Sequence, residues 1–348
     1  MKLFFERMQK NSHPYIIAEI GSNHNGEMDL AKNIINSAKE CGADCVKFQS
    51  FDNKSLISKE EYDRNQKYND SPKKHFGSLK EMVDKYYLRR EQHFELKNYC
   101  DKIGIDFASS PFSNEEVDLL VELDVPFVKV ASMDINNLPF LEYIASKNKP
   151  VVLSTGMADL AEIETAVKTI ENTGNNEIVI LHCISIYPPK YEDINLKNIL
   201  MLKEAFSYPV GFSDHSLGTS IPLASVALGS CLIEKHFTLD KDLPGWDHAI
   251  SADPAELKEL VQESKNIFTA LGSKRRIVSH DEFEKRKKFR RSLLAAKNLS
   301  KGTILNAEFL LSKRPGTGIA PNEIKYVIGK KLKKDYEADE LLKWEDLE

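Results

Sequence analysis

Gly211-Phe212-Ser213-Asp214-His215 and Ile233-Glu234-Lys235-His236-Phe237 decide how this chain is read. Each is a short apolar strand that ends on a histidine, and one helix-sized stretch separates them. If the two strands are neighbours in one barrel, both imidazoles enter the same pocket, beside Asp214 and Glu234. A lone histidine is ordinarily a satisfied core or surface group. A pair at matching strand ends reads instead as a divalent-metal site.

Working outward, similar β-branched and aromatic runs occur at 15–21, 45–51, 105–111, 127–133, 150–156, 178–185, 210–215 and 231–239. Between them, stretches such as 30–41, 115–123, 160–171 and 221–228 carry apolar residues at three- and four-residue spacing. Several open on capping residues, among them Ser113 and Asp159. Eight alternating β and α units predict a (β/α)8 TIM barrel rather than an open doubly wound sheet. One interval is too long: the polar stretch 52–74 and an amphipathic piece at 79–99 intervene between the second and third strands. A long loop there lies on the catalytic face, as a lid, a substrate-contacting insertion or a surface elaboration.

The 348 residues leave room for a small second domain after a barrel of ~250 residues. The expected boundaries are 1–273 for the barrel, 274–291 for a Lys/Arg-rich solvated linker or helix, and 292–348 for a compact module of short strands and turns. A net charge of −5 gives no general attraction for nucleic acid or an acidic membrane, so an anionic substrate needs local cations. No apolar run approaches the ~18 residues of a membrane span, and a cytoplasmic enzyme is expected. The five cysteines, Cys41, Cys45, Cys100, Cys183 and Cys231, form no CxxC pair, and all but Cys100 sit in or beside apolar runs and read as buried thiols of a reducing compartment. Cys183 follows an apolar run with no partner evident, which argues against a nucleophile.

Strand C-terminal ends supply the chemistry in such a barrel. They carry Glu19, Asn23-His24-Asn25-Gly26, Lys47, Gln49, Ser109, Ser110, Lys129, Ser132, Ser154, Thr155, Ser185, Tyr187, Ser213, Asp214, His215, Glu234, Lys235 and His236. Lysines inside apolar strands are costly without an anion. Lys47 and Lys129 therefore suggest a buried phosphate or carboxylate ligand, with an internal pair to a residue such as Glu19 as the plainer reading. The serines and turn amides add neutral donors for phosphate oxygens. Together these groups point to metal-assisted chemistry on a phosphorylated small molecule.

At these residues the chain resembles the sialic acid (nonulosonate) synthase family. The segments that carry the resemblance are Ala18–Gly26, Val46–Ser50, Ser109–Phe112, Leu153–Met157, His182-Cys183 with Tyr187-Pro188, Gly211–His215, and Glu234–Phe237 with Asp247-His248. Lys313-Arg314-Pro315-Gly316-Thr317-Gly318 resembles the antifreeze-like (SAF) domain, a β-clip type fold, that ends these enzymes. The resemblance implies a transferase that condenses phosphoenolpyruvate with an N-acetylated amino sugar, either N-acetylmannosamine or a 2,4-diacetamido-trideoxyhexose. The product is a sialic-acid-like keto-deoxy sugar acid, with phosphate released by C–O cleavage. It implies Mn2+, with Mg2+ or Co2+ as alternatives, on His215 and His236. Catalytic roles fall on Glu19, Lys47, Lys129, Asp134, His215 and His236, and substrate contacts on Ser110, Ser132, Ser154, Tyr187, Ser213, Asp247 and Arg314. Arg314 is expected from the second subunit of a domain-swapped homodimer.

Two departures stand out. Asp134 replaces the family's usual Glu, and Trp246 stands where many relatives carry proline before Asp247. The first half is closer to legionaminate-type synthases, as at Asn23–Gly26 and Met157–Leu160. Pseudaminate and sugar 9-phosphate synthases of the same family are the alternatives. A metal-dependent barrel hydrolase is disfavoured because Asn23-His24-Asn25 stands where a His-x-His would be needed.

Overall fold

The computed structural model describes residues 4–6, 8, 13–52, 54–65 and 78–348. Residues 66–77 of the expected insertion lie outside the described residues. The chain divides into two compact units, Met1–Gly272 and Ser273–Glu348.

The first unit is built on eight parallel strands: β1 (Tyr15–Gly21), β2 (Cys45–Ser50), β3 (Asp106–Pro111), β4 (Val128–Val130), β5 (Val151–Ser154), β6 (Ile178–Cys183), β7 (Val210–Asp214) and β8 (Leu232–His236). Their order is β3-β2-β1-β8-β7-β6-β5-β4, with β3 and β4 side by side, so the sheet closes as the expected TIM barrel. The helices between consecutive strands start where the sequence signals them. Ser113 accepts from the Glu116 amide, and Asp159 forms a capping box with Glu162.

Strand parity sorts the side chains into two layers, because alternate residues face opposite sides. One set fills the lower barrel interior: Ile17, Cys45, Ala108, Phe127, Val152, Val179, Leu181 and Leu232, joined by Phe4 and Tyr15. The other set, including Ile16, Ala18, Val46, Phe48, Val128, Leu153 and Phe212, packs outward against the helices. Moving two residues along each strand from the interior layer gives Glu19, Lys47, Ser110, Lys129, Ser154, Cys183, Ser213 and Glu234. The apolar floor thus becomes a polar mouth by periodicity alone.

Three details depart from the sequence reading. β4 is only Val128–Val130, and Ser132–Asp134 form a turn of 3-10 helix. The strand stops because Ser132 Oγ takes the Gly156 amide (3.1 Å) and the Asp134 amide turns back to Ala131 O (3.0 Å). At the end of β1 the register with β2 slips between Glu19 and Gly21, where Gly21 adopts φ +53°. Cys100, which sequence alone sets apart from the buried thiols, is fully buried on the helix Arg90–Ile103, whereas Cys231 is partly exposed. All five cysteines are free thiols.

The second unit has its own core of Leu293, Leu299, Leu305, Ile319, Val327, Leu332, Tyr336, Leu342 and Leu347. It holds an exposed helix, His280–Phe289, and an antiparallel pair, β9 (Ser292–Ala295) with β10 (Leu310–Lys313). No helix among the described residues is long and apolar enough to cross a membrane.

Gly211 marks the tightest point of the barrel wall. A Cβ there would lie 2.5 Å from Leu232 O and 2.7 Å from Leu181 Cδ2. Gly211→Ala is expected to cost about 1–3 kcal/mol of stability through overpacking, read as a lower urea midpoint at unchanged slope. An unchanged midpoint would show that the wall relaxes freely there.

Candidate active site

Four buried charges occupy the barrel mouth. Lys47 and Lys129 are each 3% exposed, Glu19 2% and Glu234 6%. Register explains their meeting: β1 sets Glu19 beside Lys47 of β2 and beside His236 of β8. Lys47 Nζ lies 2.6 Å from Glu19 Oε2 and 3.6 Å from Glu234 Oε2. Lys129 Nζ lies 3.9 Å from Glu234 Oε1 and donates to Ser154 Oγ (2.8 Å) and Val130 O (2.9 Å). Ser213 Oγ donates to Glu234 Oε1 at 2.9 Å, and Lys47 also reaches Ser110 Oγ at 3.2 Å. Gln49 Nε2 contacts Glu19 Oε1 at 3.4 Å.

The two carboxylates sit differently. Burial is the largest influence on both and disfavours their charge. For Glu19 it wins, lifting the carboxyl to about 7 against the pull of Lys47, with Glu234 adding to the rise. For Glu234 burial is outweighed by Lys129, Lys47 and the Ser213 hydroxyl, and the carboxyl falls to about 2. Lys129 is lowered, chiefly by burial, while for Lys47 the attraction of Glu19 and Glu234 overcomes burial and raises it.

Opposite the lysines stand His215 and His236, with ring centroids 5.4 Å apart. His215 Nδ1 is 2.8 Å from Ile184 O, and although burial opposes its charge, the Cys183 thiol and the Ile184 carbonyl outweigh burial and raise it above the ordinary imidazole range. His236 Nδ1 is buried without a hydrogen bond, and Asp247 Oδ2 is 3.8 Å away. Burial, followed by His215 and Lys47, keeps His236 well below the ordinary imidazole range and therefore neutral. Two convergent imidazoles, one with an orphaned ring nitrogen, are a donor set that fits a borderline divalent cation. Among the described residues no third His, Cys, Asp or Glu joins them in such a group. A cation held there would keep positions open for non-protein ligands.

The other sequence-derived positions divide. Tyr187 lies against His215 with ring centroids 4.1 Å apart and tilted by 40°, and meets His236 edge-on at 6.0 Å. Asp247 Oδ2 faces the Gly21 bend, 3.7 Å from where a Cβ would stand. Ser132 lies near Cys183 Sγ at 3.5 Å and under Gly156, which has no space for a side chain. Asp134 is hydrogen-bonded to Asn137 at 3.3 Å, not to any member of the charged cluster. Arg314 belongs to the second unit, where its guanidinium lies 5.0 Å over the Phe289 ring.

Four readings change. Asp214, expected beside the metal pair, faces the outer layer and binds Lys235 Nζ at 2.7 Å, because it has the opposite parity to Ser213. Glu234 acts on both histidines as expected, but it also holds both lysines. Its parity with His236 is visible in the sequence, but its lysine partners are not. Asn23 and Asn25 tie loops together, through Phe237 O (2.9 Å) and Pro244 O (2.9 Å). Cys183 has a neighbour that sequence does not reveal: His215 outweighs burial and brings the thiol down to about 7.

The closed barrel, its lysine pair and its imidazole pair define a class: a barrel enzyme with a lysine half and an imidazole half in one mouth. The chain belongs to the NeuB family, whose profile matches residues 34–276, and a SAF domain matches 290–348. It is 42% identical to N,N'-diacetyllegionaminic acid synthase of Legionella pneumophila, over 96% of this chain and 94% of that protein. It is 37% identical to human N-acetylneuraminate-9-phosphate synthase, over 95% and 92%. The crystal structure of an N-acetylneuraminic acid synthetase from Leptospira borgpetersenii superposes with a TM-score of 0.70 at 35% identity, covering 79% of this chain and 91% of that one.

The charge cluster makes a direct prediction. Lys47→Met leaves Glu19 buried without its cation and should cost about 3 kcal/mol in chemical denaturation. Adding Glu19→Gln should recover most of that loss, since a neutral pair replaces an orphaned charge. If the single variant is as stable as the parent, the pair does not balance this pocket.

Proposed function

We propose that the chain condenses phosphoenolpyruvate with an N-acetylated mannosamine-type aldose, and that its acceptor is a 2,4-diacetamido-trideoxyhexose, giving a legionaminate-type sugar acid. The observation that carries this is the placement of Lys47 and Lys129 across the barrel mouth from His215 and His236. The choice of sugar is supported by the higher identity to the legionaminic acid synthase (42%) than to the 9-phosphate synthase (37%).

The two lysines neutralise the phosphate and carboxylate of the enol substrate, and Ser110, Ser132, Ser154 and Ser213 supply neutral donors around them. Such a site exchanges its internal Glu partners for ligand oxygens, so the buried cations stay paired in both states. His215 and His236 would hold the divalent ion, Mn2+ first, which supplies Lewis-acid polarisation of an aldehyde oxygen. Glu19, balanced near 7, can take or give a proton close to neutrality. The new bond joins the enol methylene carbon to the aldehyde carbon; water adds at the enol carbon, and phosphate leaves with its bridging oxygen. Tyr187 and Asp247 lie beside the imidazoles, where acceptor hydroxyls must be held. Arg314 completes the site from the partner subunit of a domain-swapped homodimer.

A panel of N-acetylmannosamine, its 6-phosphate and 2,4-diacetamido-trideoxyhexoses decides the matter, with phosphate release and product mass as readouts. Fastest turnover is expected with the diacetamido sugar, and no phosphate release with any member would overturn the proposal. Chelation should abolish turnover and added Mn2+ restore it; His236→Ala should remove both activity and Mn2+ binding measured by calorimetry. Metal binding unchanged in that variant would refute the imidazole pair as its site.

A further inference from the structure

Trp246 and the segment between β2 and β3 are the two sequence features that the chemistry above leaves unused. They meet. The helix Leu79–Tyr86 buries Leu79, Met82, Val83 and Tyr86 in a cluster with Phe51 and Tyr62, separate from the barrel cores. Phe112 and Trp246 pack against that cluster. The Trp246 ring thus occupies the apolar face of the insertion rather than open solvent.

The same helix also bears on the β1 loop. Lys85 O would be only 2.2 Å from a Cβ on Gly26, which has φ +78°, so the approach requires glycine twice over. That loop in turn holds the loop after β8. Asn25 Nδ2 donates to Pro244 O at 2.9 Å, and Asn25 Oδ1 is 3.3 Å from His248 Nε2. His248 is fully buried, with Nδ1 2.6 Å from Thr238 Oγ, and Gly245 has no room for a side chain against it. Asp247 sits between these fixed neighbours, Trp246 and His248, and its carboxylate faces His236. Its charge is also felt by the Tyr86 hydroxyl, which burial first and Asp247 second push well up.

From this packing we infer that the helix Leu79–Tyr86 is a clamp on the β8 loop, and that Trp246 and Tyr86 are positioning residues that aim Asp247 at the acceptor sugar. The helix and Trp246 form one specificity element: a proline at 246 would leave the Met82–Tyr86 face without its partner. The inference rests on the proposed acceptor role of Asp247, and its selectivity is its signature. Loosening the clamp should weaken acceptor binding while leaving the lysine-held anion half intact, because Lys47 and Lys129 are held by Glu19, Glu234, Ser110 and Ser154 on the barrel strands rather than by the insertion helix.

Trp246→Ala and Tyr86→Phe should each raise the acceptor KM, by about tenfold for the tryptophan, with the phosphoenolpyruvate KM within about twofold of the parent. Trp246→Phe should restore most of the loss. Equal weakening of both substrates, or no change in either, would overturn the clamp. A second readout needs no turnover: amide hydrogen exchange across 244–250 should accelerate about tenfold in Trp246→Ala and not in the SAF unit. Unchanged protection there refutes the inference even if no acceptor is found, whereas an inactive parent protein with accelerated exchange refutes only the proposed reaction.

Discussion

Lys47 and Lys129 sit in a barrel mouth whose walls exclude almost all water, and much else in the first unit follows from keeping them charged. Removing an ammonium from water costs several kcal/mol unless an anion lies close. Here Glu234 is shared by both lysines, at 3.6 Å and 3.9 Å, and Glu19 is held by Lys47 at 2.6 Å and by Gln49 at 3.4 Å. Two cations against two carboxylates leave the pocket near neutrality before any ligand arrives. A substrate bearing phosphate and carboxylate brings excess negative charge, and the group able to absorb it is Glu19, whose carboxyl is balanced near 7. Protonating Glu19 as the anion enters would let Lys47 turn to the ligand without leaving a bare carboxylate behind.

The cluster can exist only because register and parity agree on four strands at once. Glu19 pairs with Lys47 across β1 and β2 and with His236 across β1 and β8, while Ser213 pairs with Glu234 across β7 and β8. A one-residue slip of β8 would turn Glu234 and His236 outward and bring Lys235 into the mouth. The outer layer guards against this: Lys235 and Asp214 form a buried ion pair on the helix side, satisfied only in the observed register. A buried pair of this kind contributes little net stability, but it penalises the alternative register heavily.

Periodicity therefore made most of the architecture legible. Runs such as Tyr15–Gly21 and Ile178–Cys183 announce themselves as strands buried on both faces, and Lys47 within Val46–Phe48 is conspicuous as a charge where none is cheap. What could not be read was partner choice. Asp214 and Glu234 are both carboxylates next to strand-end histidines, and only the pleat direction at β7 separates the structural one from the one in the pocket. Ser132 reads as the end of a strand that stops at Val130, because the Gly156 amide that captures it comes from a different repeat. His215 beside Cys183 is likewise a contact between β6 and the loop after β7, invisible to any local pattern. Trp246 gave a composition anomaly without a location; its cluster is assembled from Phe51, Met82 and Phe112, which are remote in sequence.

Under the proposed reaction, the division of the mouth into a lysine half and an imidazole half would let one scaffold take different acceptors. The lysine half is fixed by buried charge, so any change there risks the fold as well as the chemistry. Asp247 is placed differently, between Trp246, which packs on the insertion's apolar cluster, and His248, which is hydrogen-bonded to Asn25. Packing of that kind can be rebuilt one side chain at a time at a cost of about 1–2 kcal/mol per step. Variation in the acceptor should therefore be written in the insertion and in the loop after β8, while Lys47, Lys129, Glu19 and Glu234 are constrained by the balance of charge they jointly keep.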